Sequence, residues 1–156
     1  MSSSSDKRGF NLNNLIKEKY DISLSKEEIN YIYNMGAKKC EIGDFQNALP
    51  IFQFLVLFKP AETLYMKAIA GCLQNLEQYM EAYMYYQSAF MAKMKDNPDC
   101  LFYMAFCAIK LQKNDEALNL LNHFLKDNPN HELEKKAKLL LNGLQKVAAN
   151  PGPVKS

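Results

Sequence analysis

The stretch 43–60 reads GDFQNALPIFQFLVLFKP, and the spacing inside it decides the fold. Gly43-Asp44 is a turn pair, Ala48 is small, Phe52 and Leu55 follow at helical spacing, and Pro60 closes the run. The same frame returns from Ala48 to Ala82, 34 residues on, with Tyr79, Tyr86 and Ala89 around it. It returns again at Ala117, 35 residues further, with Asn114, Leu121, Phe124 and Pro129. Upstream of each frame a second small residue lies in a helical pattern: Gly36 after Met35, Ala70 after Ile69, Ala105 after Met104. A period of about 34 with small residues where paired helices cross is the signature of the tetratricopeptide (TPR) repeat.

Each framed position has a physical reason. Gly36, Ala70 and Ala105 let the second helix of a pair approach closely, and Ala48, Ala82 and Ala117 do so from the other side. Phe52, Tyr86 and Leu121, four positions on, fill the space between adjacent pairs. Pro60 and Pro129 end their helices, because proline donates no amide hydrogen and disfavours helical geometry in the residue before it. The repeats are degenerate. There is no tryptophan, repeat two ends near Met94 without a proline, and Asn114 stands where an aromatic is usual.

The expected fold class is therefore all-α: three degenerate TPR units with an N-terminal helix and a C-terminal capping helix. Residues 1–24 are expected to be a disordered segment with a short helix, 25–149 the TPR domain with its cap, and 150–156 a loose tail. Within the first segment, 11–20 is amphipathic, with Leu12, Leu15 and Ile16 on one side. Ser25 with Glu28 forms a capping box, which predicts a helix over 26–42. Partner helices are predicted over 45–58, 63–75, 79–93, 99–111 and 115–126. The last, over 132–147, carries Leu133, Ala137, Leu140, Leu141 and Leu144 on one stripe, as a terminal cap should.

Composition narrows the function classes. The 156 residues carry a net charge of +2, too little to argue for nucleic acid or an anionic membrane. The most apolar run, 48–58, is about half the roughly 20 residues a bilayer span needs, so stable membrane insertion is not expected. No secretory signal is read in the serine-rich start, so the chain is expected to be cytoplasmic. Cys40, Cys72, Cys100 and Cys107 form no CxxC pair, and His123 and His131 do not complete a zinc set. Cys72 and Cys107 take the same place in repeats two and three, as small buried hydrophobes would. There is no glycine-rich phosphate loop and no arranged acid, base or nucleophile. No enzyme, cofactor or metal is expected, and the search turns to a bound peptide.

In a TPR stack the first helix of each pair lines the concave face. Counting repeats from Ile29, Thr63 and Pro98 puts Asn30, Tyr33, Ala37 and Cys40 there; then Leu64, Lys67, Gly71 and Gln74; then Asp99, Phe102, Phe106 and Ile109. Tyr33, Leu64, Phe102, Phe106 and Ile109 are large and apolar, and a contiguous apolar patch marks a binding surface. Co-chaperone TPR domains grip a C-terminal carboxylate with basic residues, but the corresponding places hold Tyr33, Ala37, Ala68, Asp99 and Tyr103. An extended apolar peptide fits this pattern better.

Over about residues 24–147 the chain resembles the class II chaperones of bacterial type III secretion systems. The resemblance rests on Gly43 with Ala48, Phe52 and Leu55; on Gln78-Tyr79, Ala82, Tyr86 and Ala89-Phe90; on Lys95-Asp96; and on Lys136-Ala137-Lys138. It implies a cytosolic, ATP-independent chaperone that holds a proline- and leucine-containing segment of a hydrophobic translocator in its groove. It also implies a possible homodimer through N-terminal residues, here Leu12, Leu15, Ile16 and Ile22. A general TPR scaffold or an assembly subunit remains the alternative.

Overall fold

A computed structural model describes residues 23–150 and residue 152. The expectations on the 11–20 helix, on Leu12, Leu15, Ile16 and Ile22, and on most of the tail lie outside the described residues.

Seven α-helices make up the described chain: α1 Lys26–Glu41, α2 Phe45–Phe58, α3 Thr63–Asn75, α4 Tyr79–Ala92, α5 Asp99–Lys110, α6 Asn114–Asp127 and α7 Glu134–Ala149. α1/α2, α3/α4 and α5/α6 are the three repeats, and α7 closes the series. The seven helices predicted between residues 26 and 147 all form, with ends displaced by at most two residues. At the start of α1 the Glu28 amide donates to Ser25 Oγ at 3.1 Å, and the Ser25 amide donates to Glu28 Oε2 at 2.8 Å. This is the expected capping box.

The three turns inside the repeats are built alike. The Asp44 amide donates to the Lys39 carbonyl, Gln78 to Leu73 and Lys113 to Ala108, each at 2.8 Å. Each turn places one residue in the left-handed region: Gly43 at φ 78°, Glu77 at 62° and Gln112 at 61°. Such a bond pattern satisfies the orphan carbonyls at the end of the first helix and fixes the reversal into the second.

The small residues sit where the sequence requires them. Ala48, Ala70, Ala82, Ala105 and Ala117 are fully buried, and a Cβ on Gly36 would stand 2.7 Å from the Phe52 ring. Phe52, Tyr86 and Leu121 are buried between pairs, each contributing about 1.5–3 kcal/mol of hydrophobic stabilisation. The junction after repeat two, broken at Asp96-Asn97-Pro98-Asp99 as its residues suggest, carries an extra turn. A 3-10 turn at Met94–Asp96 extends it, and Asn97-Pro98 then performs the closing role. Buried Asn97 donates from Nδ2 to the Lys93 carbonyl at 3.0 Å, as Asn128 Nδ2 does to Phe124 at the end of α6.

Candidate functional site

α1, α3 and α5, the first helices of the repeats, meet through a regular set of side-chain pairs. Tyr33 and Tyr65 have ring centroids 5.9 Å apart, Cys40 and Cys72 sulfurs lie 3.6 Å apart, and Lys67 Nζ lies 2.7 Å from Asp99 Oδ2. The members of each pair are 32 positions apart. That offset, slightly shorter than the repeat, is where neighbouring first helices touch.

The centre of the face is amphipathic. Tyr33, Lys67, Asp99 and Tyr103 surround it, and the Lys67–Asp99 pair is mostly shielded from solvent. Burial pushes the Tyr33 and Tyr103 hydroxyls above the ordinary tyrosine range, so both stay neutral donors at physiological pH. Tyr103 stacks on Tyr86, centroids 5.2 Å apart, and the Tyr86 hydroxyl donates to Gln74 Oε1 at 3.1 Å. Gly71 lies beside that hydroxyl, 3.9 Å from where its Cβ would be. The arrangement offers hydroxyl and amide groups for a peptide backbone between patches of aromatic surface. The lysine at its centre, Lys67, is matched by Asp99.

Several predicted groove residues take these places. Tyr33, Cys40, Lys67, Gly71 and Gln74 join the set above; Ala37 is half-buried and opens onto the outer side of α1 with Tyr31 and Asn34. Leu64 is 48% exposed at the start of α3. Phe106 is half-buried, its ring edge-on to Tyr79 at 6.4 Å with Lys110 Nζ 5.6 Å above it. Ile109 is half-buried against the α5–α7 core.

Phe102 is a correction. Assigned to the groove floor by its register, it is only 7% exposed and belongs to the core with Phe124, Leu133, Ala137 and Leu144. The physical reason is α7, which follows the turn at Asn130 and brings Leu133 and Ala137 into the cluster that also holds the Phe102 and Phe124 rings, 6.2 Å apart. Tyr65 and Tyr103 were not among the predicted groove residues; the 32-residue offset from Tyr33 would have pointed to the first.

All four cysteines are free thiols, and Cys72, Cys100 and Cys107 are buried. Burial pushes these three up to about 12, with Cys40 adding to the effect on Cys72 and Asp99 on Cys100. They are packing groups. Among the described residues no cluster of three or more His, Cys, Asp or Glu side chains could hold a metal ion, and no helix is long and apolar enough to cross a membrane.

A family model described as anaphase-promoting complex, cyclosome, subunit 3 (ANAPC3) matches residues 41–124, more than half of the chain. The chain belongs to the ANAPC3 family. The matched span of this ANAPC3 member runs from the end of α1 into α6, so it takes in the three turns and the face between α3 and α5. No curated protein matches the chain by sequence.

Among solved structures it is similar to the Yersinia enterocolitica type III secretion chaperone SycD in complex with a peptide of the translocator YopD. The TM-score is 0.75 at 19% identity, covering 81% of this chain and 99% of that one. It is similar to Pseudomonas aeruginosa PcrH in complex with the chaperone binding region of PopD, with TM-score 0.73 at 23% identity over 81% and 97% of the two chains. It is also similar to the first TPR of Spaghetti (RPAP3) bound to the HSP90 peptide SRMEEVD, with TM-score 0.71 at 16% identity over 82% and 98%. At these identities the likeness is one of fold: this ANAPC3 member shares the TPR architecture of translocator chaperones.

Proposed function

We propose that this protein is an ATP-independent, cytoplasmic chaperone of a bacterial type III secretion system. It holds an extended, largely apolar segment of a hydrophobic translocator on the α1/α3/α5 face and so keeps that cargo soluble and export-competent. The mechanism is mass action: the bound segment is withdrawn from aggregation and from premature membrane insertion, and the secretion machinery competes for it at release. No catalytic step is needed.

The observation that carries this reading is the Lys67–Asp99 pair. A carboxylate-gripping TPR domain needs free cations at the centre of its face, whereas here the central lysine is already neutralised and tyrosines flank it. SycD and PcrH, whose fold the chain shares, are solved with translocator segments. The likeness to the first TPR of Spaghetti, bound to an HSP90 peptide, supports the rival, a general TPR interaction scaffold.

The test separates the two. Affinity-tagged protein expressed in its own cells is purified and its bound partners are identified by mass spectrometry. A hydrophobic translocator at near-stoichiometric amounts is expected. Peptides from the partner are then titrated with free and amidated C-termini; equal affinity is expected, and binding that requires the free carboxylate would replace the chaperone reading with the scaffold.

A further inference from the structure

We propose that Cys40 in α1 and Cys72 in α3 are a reversible disulfide site, which locks the first repeat to the second when a low-molecular-weight disulfide oxidises it. The two sulfurs lie 3.6 Å apart, in van der Waals contact, and both are free thiols. A disulfide needs about 2.05 Å, so they must close by roughly 1.5 Å. The helix end supplies that movement. Cys40 stands in the last turn of α1, beside the reversal through Gly43, whereas Cys72 is held inside α3.

The pair lies on the seam where neighbouring first helices touch. Tyr33 and Tyr65 meet on the same seam, with centroids 5.9 Å apart. Seven positions, about two helical turns, separate each tyrosine from the cysteine of its own helix. The fold therefore already holds the two thiols in register, and the bond joins side chains that are neighbours before it forms.

Access divides the four thiols. Cys40 is half-buried, whereas Cys72 is 1% exposed and Cys100 and Cys107 are 0%. A dissolved disulfide thus reaches Cys40 first. The Cys40 sulfur attacks one sulfur of the oxidant, and the other half leaves as a thiol carrying the Cys40 proton. The Cys72 sulfur then attacks the Cys40 sulfur, the mixed bond breaks, and the second half leaves with the Cys72 proton. Two protein thiols are oxidised, and one oxidant disulfide is reduced to two thiols. Burial and the contact with Cys40 push Cys72 up to about 12, which keeps it inert to outside reagents. Against a sulfur held beside it, proximity offsets the small thiolate fraction. The chemistry needs only these two residues, so it stands or falls apart from the chaperone reading.

Peptide mapping of the full chain tests it. Reduced native protein is incubated with glutathione disulfide, quenched with an alkylating agent and digested without reductant. The Cys40–Cys72 cross-link should appear in most molecules, with Cys100 and Cys107 recovered as free thiols. The melting temperature should rise by at least about 5 °C, because the bond closes a loop over residues 40–72, and should return on adding dithiothreitol. In Cys72→Ala the exchange should stop at a stable glutathione adduct on Cys40, with no rise. A lasting adduct on Cys40 in the wild-type chain overturns the proposal, as does a Cys40 that stays free. A Cys40–Cys40 bridge between two chains, read as a doubled mass on a non-reducing gel, overturns it in favour of an intermolecular contact. A cross-link that leaves the melting temperature unchanged overturns the lock between the repeats.

Discussion

Lys67 in α3 and Asp99 in α5 meet at 2.7 Å, joining two repeats across the face assigned to cargo. Both side chains are less than one-third exposed, so the pair is less screened than a surface ion pair. Lys67→Met or Asp99→Asn alone should cost about 1 kcal/mol, because each leaves a half-buried charge without its partner. The exchanged double variant, Lys67→Asp with Asp99→Lys, should recover most of the loss. Urea melts of the wild type, the two single variants and the Lys67→Met/Asp99→Asn double variant give the coupling, and additive single losses would show that the pair does not hold the repeats together.

Gly36 and Gly143 offer a matched contrast. A Cβ on Gly36 would meet the Phe52 ring at 2.7 and 2.8 Å and Ile51 at 3.2 Å, whereas one on Gly143 meets nothing within 4 Å. Gly36→Ala should therefore destabilise by about 1–3 kcal/mol through forced repacking. Gly143→Ala, in an exposed position of α7, should stabilise by up to about 1 kcal/mol. Thermal melts should move in opposite directions; a neutral Gly36→Ala would mean that the α1–α2 crossing yields easily.

The intra-repeat turns predict an easy gain. Glu77 and Gln112 hold the left-handed conformation that Gly43 adopts without strain, at φ 62° and 61°. Replacing either by glycine should stabilise by about 0.5–1 kcal/mol, since the relieved strain outweighs the added chain entropy of the unfolded state. Gly43→Ala should cost a similar amount. The two glycine variants combined should add in a denaturant titration, because the turns share no partner.

The repeat was legible in the sequence because the crossings depend on local spacing. Ala48, Ala82 and Ala117 are buried for the reason read from their frame, and Phe52, Tyr86 and Leu121 fill the gaps next to them. The junction after α4 was less legible. Its proline, Pro98, is displaced by a 3-10 turn that no periodicity announces. The register of the first helices was legible, but not which of its positions stay exposed. Phe102 occupies the same register place as Tyr33 and Lys67, yet α7 buries it, and only the packing of that last helix decides the matter. The Lys67–Asp99 pair was hidden because its offset, 32, is that of touching helices and not that of the repeat.

The buried thiols set an alkaline limit. Cys72, Cys100 and Cys107 are held up to about 12 by burial, against an ordinary value of 9.0. In the unfolded chain they lose their protons near pH 9, so above that pH the unfolded state binds fewer protons than the native one, and stability falls as pH rises. Below pH 9 this contribution is constant. Chemical denaturation between pH 8 and about 11 should show the decline, and the Cys72→Ala, Cys100→Ala, Cys107→Ala triple variant should show a weaker slope. Under native conditions a thiol reagent should modify half-buried Cys40 first.

Leu64 is the cleanest probe of the cargo surface, because it is 48% exposed in the free protein whereas Phe106 is half-buried against Tyr79. Covering an apolar side chain of this size with a ligand contributes roughly 1.5–3 kcal/mol, and each 1.4 kcal/mol is tenfold in affinity. Leu64→Glu also obliges a carboxylate to lose water when cargo docks. Cargo-peptide affinity should therefore fall at least about tenfold while the melting temperature of the free protein moves little. Phe106→Glu should lower both, since it removes the edge-on contact with Tyr79 and the Lys110 cation above the ring. Calorimetric titration beside a thermal melt distinguishes the two effects. Unchanged binding in Leu64→Glu would move the cargo away from the start of α3, and unchanged binding in both variants would remove this face from the mechanism.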